Sequence, residues 1–187
     1  MRVSRLSFAI AALLAGGLAT GAAAAPAAAP EAGVGPVTKL PLPRYASLKT
    51  DRVNLREGPS KDHRTLWVFQ RAGLPVEIVG EFETWRRIRD SEGTEGWVLH
   101  SLLSGRRTAL VNAGPDKGSE KAAVSLRAKA DDGAEDEAKL QTGVIGSVKS
   151  CTGTWCRLIV ALPNKRDVDG YIRQNRLWGV YPNEVVE

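Results

Sequence analysis

The sequence predicts an all-β protein made of two small, strongly bent β-barrels in tandem. Three observations lead to this fold class. First, one phrase of the sequence occurs twice, with matches at ordered positions over some 55 residues. Second, each copy contains short runs of alternating apolar and polar residues, the period of a half-buried strand. Third, neither copy keeps apolar residues at helical spacing for three turns. A domain of about 70 residues with five short strands must bend and close its sheet to protect the edges.

The N-terminal residues are predicted to precede the folded part. Arg2 and Arg5 come before an apolar run over 6–18, and small residues with the spacing that signal peptidases accept follow it. A membrane anchor is the alternative, but the run is shorter than the about 20 apolar residues that span a bilayer. We therefore expect a cleaved signal peptide over 1–25 and a periplasmic or secreted protein that is not membrane-embedded. Residues 26–37 are rich in Ala and Pro and predict a flexible, disordered tether.

The internal repeat sets the predicted domain boundaries. The matching segments are VNLR and VSLR (53–56 and 124–127), TW and TW (84–85 and 154–155), and GWV and GYI (96–98 and 170–172). The polar, Gly- and Pro-containing segment between the copies has the composition of a linker. The sequence thus predicts a first domain over 38–111, a linker over 112–120 and a second domain over 121–187.

The strands of the first copy follow from its pattern. Residues 53–56 alternate, 74–82 place Leu74, Val76 and Ile78 on one face, and further short strands are predicted at 85–89 and 96–99. Gly80 allows a bend or bulge in the second of these strands.

Four segments of the first copy together resemble the bacterial SH3-type domain of exported proteins: VNLREGPS (53–60), LPVEIV (74–79), WRRI (85–88) and GTEGWV (93–98). The resemblance covers nearly all of the first copy. The second copy is divergent, because it lacks the Gly-Pro after its Arg and has Tyr171 in place of Trp97. The resemblance implies a five-stranded SH3-like barrel in each copy, and a binding or targeting module with no chemistry of its own.

The candidate ligand-binding residues are aromatic or basic: Trp67, Trp85, Arg87, Trp97, Arg56 and Tyr171. Trp85 either packs the barrel end or lines a groove. Because neighbours on a strand face opposite sides, Trp97 and Tyr171 point outward if the residues after them are in the core. They then stack on a ligand or are shielded by a loop or by the other domain.

The remaining candidates have equally open interpretations. Either Trp67 and Phe69 or the alternating pair Leu66 and Val68 belongs to the core. Arg56 and its counterpart Arg127 hold loop carbonyls or bind an anion, and Arg87 belongs to a basic strand that suits an acidic peptide. The Pro-rich segment LPLPR (40–44) is interpreted as an extended lead-in packed on its own barrel, rather than as a ligand for another domain.

Cys151 and Cys156 are the only cysteines of the chain. An even number of cysteines in an exported chain favours a disulfide, and their spacing suits a hairpin. A metal-binding or reactive thiol pair is the alternative, but both histidines lie in the other copy. We therefore predict a structural disulfide, no metal site and no cofactor.

The charge and the motifs bound the function. The chain has 26 basic and 21 acidic residues, and residues 39–111 carry a net charge of +4. This basic excess suggests anionic partners of the cell envelope rather than nucleic acid. No constellation of catalytic residues is recognisable, and the two copies fill the mature chain, so we expect no enzyme.

The predicted function is a non-catalytic envelope module that recognises peptidoglycan stem peptides or an envelope protein through the first barrel. The alternatives are an interaction subunit that binds only a protein, and an accessory to a wall hydrolase. The oligomeric state is left open.

Overall fold

The computed structural model describes residues 33–112, 123–162 and 167–187 of the chain. The predicted signal peptide and most of the predicted tether lie outside these residues. The described part is all-β, as predicted, and its two helical segments are the single 3-10 turns His100–Leu102 and Gln174–Arg176. No helix in these three ranges is long and apolar enough to cross a membrane.

A short hairpin precedes the first barrel. Its strands β1 (Gly33–Val34) and β2 (Pro41–Leu42) pair antiparallel. The structure corrects the end of the predicted tether, because the backbone N–H groups of Val37 and Thr38 donate to Oε2 of Glu81 at 3.0 and 2.8 Å. Residues 33–37 are thus ordered against the barrel. The Pro-rich segment is a lead-in to its own barrel, as the sequence indicates.

The first barrel is one bent antiparallel sheet. Its strands are β3 (Arg44–Leu48), β4 (Val53–Arg56), β5 (Thr65–Phe69), β6 (Pro75–Phe82), β7 (Trp85–Arg89), β8 (Glu95–Leu99) and β9 (Leu103–Ser104). Their order in the sheet is β5-β4-β8-β7-β6-β3-β9. The register shifts between Ile78 and Gly80, so the predicted bulge is present. The alternating residues form the core: Ala46, Leu48, Val53, Leu55, Phe69, Val76, Ile78, Ile88 and Val98.

The second barrel repeats this sheet. Its strands are β10 (Thr108–Val111), β11 (Ala123–Arg127), β12 (Asp136–Gln141), β13 (Ile145–Thr152), β14 (Trp155–Val160), β15 (Val168–Arg173), β16 (Leu177–Trp178) and β17 (Val185–Val186). Their order is β12-β11-β15-β14-β13-β10-β16, the order of the first barrel shifted by seven strands. The additional strand β17 pairs with the end of β13. The core is separate from that of the first barrel and is built on Leu126, Leu158 and Ile172.

The structure moves the boundary between the two domains. The sequence predicts a first domain that ends at Val111, but β10 pairs with β13 and β16 of the second sheet. Thr108–Val111 is therefore the first strand of the second barrel, and the predicted linker 112–120 follows that strand instead of preceding the barrel. The barrels are joined by residues 105–107, after β9 ends at Ser104. The repeat comparison missed this because the first strands of the two barrels share almost no sequence.

Each barrel closes through a glycine of the Gly-aromatic phrase. A Cβ atom at Gly96 would lie 2.6 Å from Cγ of Leu55 and 2.8 Å from the carbonyl oxygen of Arg56. A Cβ atom at Gly170 would lie 2.8 Å from the carbonyl oxygen of Arg127, the corresponding residue. At these glycines β8 passes too near β4, and β15 too near β11, for a side chain to fit, which explains why both copies have a glycine there.

An aromatic cluster packs the two barrels together. The ring centroid of Tyr45, in the first barrel, is 5.2 Å from Trp178 and 4.6 Å from Tyr181. The Tyr181 hydroxyl donates to Oε1 of Glu77 at 3.0 Å, and Glu77 is only 5% exposed. Burial and the Glu77 carboxylate raise the pKa of Tyr181 well above its usual range, so the hydroxyl stays protonated as the donor. Residues 75–78 of β6 are therefore buried on both faces of the sheet.

Glu81 fastens the lead-in hairpin to the first barrel. Its side chain is fully buried, and its Oε1 accepts hydrogen bonds from Thr38 Oγ1 at 2.5 Å and from Arg44 Nη2 at 2.8 Å. Arg86 stands opposite Glu81 on β7, with Nε 3.6 Å from the same oxygen. Burial alone would raise the pKa of Glu81, but the hydrogen bonds from Thr38, Arg44 and Val37 outweigh it and lower the pKa from 4.5 to about 2.

The predicted disulfide is confirmed. Cys151 and Cys156 are bonded, and they lie directly opposite each other on β13 and β14 with Cα atoms 4.1 Å apart. The corresponding positions of the first barrel hold Glu81 and Arg86, which are also opposite each other. The same hairpin is thus fastened by an ion pair in one barrel and by a covalent bond in the other.

Replacing Glu81 by Gln is expected to destabilise the protein by about 3 kcal/mol at pH 7, the free energy that corresponds to the lowered pKa. Because the folded-state pKa is the lower one, this stabilisation is complete above pH 4.5 and is lost as the pH falls toward 2. Urea unfolding between pH 7 and pH 2 measures both effects. The difference in the free energy of unfolding between the unmodified chain and Glu81→Gln should decrease as the pH falls. The control variant Glu92→Gln, at an exposed position, should have the same free energy of unfolding as the unmodified chain at every pH. A difference for Glu81→Gln that does not change with pH would contradict the lowered pKa of Glu81.

The double substitution Cys151→Ser, Cys156→Ser is expected to lower the free energy of unfolding by about 2 kcal/mol, because the bond closes only a short loop of the unfolded chain. Urea unfolding of the variant measures this loss. The unmodified chain in dithiothreitol should lose a similar amount, and the double variant should not respond to the reductant. An unchanged unfolding midpoint would show that the bond adds no stability.

Candidate functional site

A groove of about 310 Å³ opens on the first barrel between β4, the loop after it and the end of β8. We call it the basic groove. Its lining residues are Arg52, Asn54, Arg56, Lys61, Trp85, Leu99 and Leu102.

One side of the basic groove is apolar. Trp85 begins β7 and stands directly opposite Leu99, the last residue of β8. Leu102 lies in the 3-10 turn that follows β8. Trp85 is only 7% exposed, so most of its indole packs the barrel end and the remainder faces the groove. Trp85 thus both packs the barrel end and lines the groove, which are the two roles that the sequence left open for it.

The other side of the basic groove is cationic. Arg52 and Lys61 are exposed, and Nη1 of Arg56 donates to the carbonyl oxygen of His63 at 2.7 Å. That hydrogen bond ties the loop carrying Lys61 to β4. Within the described residues, no carboxylate forms an ion pair with any of the three cations. An apolar surface beside three uncompensated positive charges suits a ligand with both a carboxylate and a small apolar group.

The structure brings two of the six predicted residues, Arg56 and Trp85, into the basic groove. Trp97 and Arg87 lie beside it: Trp97 is in register with Arg56 on one side and with Arg87 on the other. Cross-strand partners share a face, so the three side chains form a row outside the barrel. Trp97 is half-buried there, and Nη2 of Arg87 pairs with Glu95 at 2.8 Å.

The other two predicted residues are elsewhere. Trp67 lies on β5 and is 60% exposed, whereas Phe69 on the same strand is buried. The expectation that a pair of residues on β5 belongs to the core is therefore correct for Phe69 alone. Tyr171 is half-buried on β15, in register with Arg127 and Arg157, so the second barrel repeats the outer row of the first.

The corresponding part of the second barrel is covered by its own side chains. Arg173 replaces Leu99, and its guanidinium lies 4.3 Å from the ring centroid of Trp155, the counterpart of Trp85. The same guanidinium forms an ion pair with Asp132 of the acidic segment ADDGAEDEA (130–138), and this hydrogen bond lowers the pKa of the Asp132 carboxyl. The second barrel thus places an internal salt bridge where the first has an open apolar wall.

Sequence analysis missed five residues of the basic groove: Arg52, Asn54, Lys61, Leu99 and Leu102. One signal was available for Asn54, because it is the outward-facing residue between two buried residues of the alternating segment 53–56. The others come from a loop and from strand ends, which carry no periodic pattern. Among the described residues, no cluster of His, Cys, Asp or Glu could hold a metal ion.

The comparison with protein families decides the classification. The family model described as Bacterial SH3 domain matches residues 49–105 and 120–179. The chain belongs to the bacterial SH3 domain family. The two matches confirm the tandem arrangement, and bacterial SH3 domains are in general non-catalytic binding modules, often for the cell wall.

Comparison with solved structures gives weaker relations. The chain is similar to the structures of NlpC2 and NlpC1 from Trichomonas vaginalis, each at 12% identity and a TM-score of 0.31. The matches cover 73% and 77% of this chain, respectively, and 48% of each of those chains. This bacterial SH3 protein therefore spans about half the length of those two proteins. No curated protein matches it.

The peptidoglycan binding that the sequence predicts can be tested at Trp97: Trp97→Ala is expected to weaken binding to sacculi roughly three- to tenfold, the usual contribution of one aromatic contact. Tyr171→Ala should change binding less, because its row lies beside the covered part of the second barrel. Co-sedimentation of both variants with purified sacculi measures the difference, and thermal unfolding checks that both variants are folded. Equal losses would contradict the assignment of binding to the first barrel.

Proposed function

We propose that this bacterial SH3 protein is a non-catalytic binding protein of the cell envelope that recognises peptidoglycan stem peptides through the basic groove. The observation that carries the proposal is the meeting of an apolar wall, made by Trp85, Leu99 and Leu102, with three cations that no described carboxylate neutralises. Family membership supports the same class of function.

The chemistry of the ligand follows from the two sides of the groove. Stem peptides combine free carboxylates with alanine methyl groups. Arg52, Arg56 and Lys61 offer charge-assisted hydrogen bonds to a carboxylate, and the wall beside them accepts a methyl group. An arginine fork favours a planar carboxylate over a spherical anion, so the groove suits a peptide better than chloride or another simple ion.

The groove supports binding rather than catalysis. Its polar side chains are three cations and the amide of Asn54, and its lining contains no carboxylate, histidine, cysteine or serine. The proposed location is the periplasm or the cell exterior, and the support for it is the signal-peptide pattern of the first 25 residues. The basic excess of the first copy would draw the protein toward anionic wall polymers.

The double substitution Arg52→Gln, Lys61→Gln tests the proposal. It is expected to weaken binding to sacculi about tenfold, because it removes the groove's two exposed charge-assisted donors. The matched control is Arg106→Gln, Lys149→Gln, which removes two exposed positive charges away from the groove. Co-sedimentation with sacculi across a salt series measures both variants, and the control should change affinity less than threefold at about 0.15 M salt.

The outcomes separate a shaped site from a charged surface. Selective loss in the groove variant, with saturable binding that survives about 0.5 M salt, supports the proposal. Equal losses in both variants would show that binding depends only on net charge. No binding of the unmodified protein even at low salt would overturn the wall ligand and favour the alternative function, an interaction subunit for an envelope protein, to be sought by pull-down.

A further inference from the structure

A second, larger groove of about 590 Å³ lies on the second barrel. We call it the tail groove, because the C-terminal segment forms one of its sides. After β16 the chain continues through Val180, Pro182 and Asn183 and returns as β17 to pair with Cys151 and Thr152 of β13. The first barrel has no such tail, since β9 leads directly into β10. The tail groove is therefore not a copy of the basic groove.

The walls of the tail groove are held firmly. Gln174 donates through Nε2 to the carbonyl oxygens of Tyr181 and Glu184, at 2.7 and 3.0 Å, and so fixes the tail to the barrel. Nη1 and Nη2 of Arg107 form a bidentate pair with Glu184 at 2.9 and 3.0 Å. The disulfide at the base of the 153–154 turn holds the opposite side. A groove with fixed walls loses little conformational entropy on binding.

One buried lining residue of the tail groove has an unused hydrogen-bond acceptor. Gln174 lines the groove and is only 4% exposed. Its Nε2 is identified by the two carbonyl oxygens that it faces, so the other terminal atom is Oε1. Oε1 is buried and has no hydrogen-bond partner among the described residues. A buried acceptor without a partner is uncommon and unfavourable, so a small shift of the Gln174 side chain that brings Oε1 to a ligand hydroxyl or amide N–H would be favoured.

Apart from Arg173, the remaining lining consists of aromatic, aliphatic and neutral polar residues. Trp178 and Tyr45 form one wall, with their rings edge to face. Thr154, Asn175 and Asn183 line the groove with exposed hydroxyl and amide groups. These are the groups that orient a ligand rich in hydroxyls, while an aromatic wall packs against its C–H face.

Charge distinguishes the two grooves. Arg173 is the one charged residue of the tail-groove lining, and Asp132 already neutralises it. The basic groove, in contrast, has three cations and no described counter-ion. We infer that the tail groove is a second binding site that takes a short, neutral saccharide. This inference goes beyond the proposed function and does not depend on it.

The test is a titration of the ¹⁵N-labelled full-length protein with a neutral saccharide, the β-1,4-linked trimer of N-acetylglucosamine, followed by NMR. Saturable shifts are expected at the backbone amides of Thr154 and Asn175 and at the indole N–H of Trp178. The basic groove should give no shifts with this probe. A carboxylate-containing tripeptide, titrated separately, should give the opposite pattern.

Variants complete the test. Asn175→Ala together with Asn183→Gly should weaken binding of the trimer at least fivefold. Glycine suits position 183 because Asn183 has a φ of 61°. The control Asn54→Ala, in the basic groove, should not change trimer binding. The absence of saturable shifts at millimolar trimer would overturn the inference, as would shifts confined to other residues or an unchanged affinity in the double variant. Since the trimer has no carboxylate, a negative result would leave the peptide-binding proposal standing, and failure of the tripeptide alone would leave the saccharide site standing.

Discussion

Closure of each barrel depends on one close contact between backbones. Strand β8 crosses β4 at Gly96 in one barrel, and β15 crosses β11 at Gly170 in the other, and a Cβ atom at either glycine would collide with the neighbouring strand. Only one residue pair is in register at each crossing, Arg56 with Trp97 and Arg127 with Tyr171. Because the sheet closes there, the ends of β7 and β8 come next to the loop after β4. The basic groove is a direct consequence, since its apolar and cationic sides belong to strands brought together by this closure.

The two barrels keep this backbone and change the chemistry attached to it. Where the first barrel fastens its central hairpin with Glu81 and Arg86, the second uses the disulfide between Cys151 and Cys156. The first barrel has Leu99 beside the largely buried Trp85. The second barrel has Arg173 over the indole of Trp155, and Arg173 forms an ion pair with Asp132. In both places the side chains differ between the barrels, whereas the order of the strands in the sheet is the same. The divergence of the second copy is therefore a change of side chains and not a loss of fold.

The packing of the barrels against each other explains features that neither barrel has alone. Glu77 is a charged residue in the middle of β6, and it is buried because Tyr181 and Arg89 satisfy its carboxylate. The tail that carries Tyr181 also forms one side of the larger groove, with Tyr45 of the first barrel on the aromatic wall. The interface and the tail groove thus share the same segment. The basic groove lies apart from them and is lined by residues of the first barrel alone.

The sequence by itself determined the all-β class, the two copies, strands β4 and β7, the bulge at Gly80 and the disulfide. These features depend on residues close together in the chain, through strand periodicity, glycine placement or cysteine spacing. It also selected Arg56 and Trp85, because each recurs in the second copy. Only the tertiary structure assigned β10 to the second barrel and brought Arg52, Lys61, Leu99 and Leu102 into one groove. Those residues lie in loops and at strand ends, far apart in the chain, where no periodic pattern reports which neighbours a folded sheet will supply.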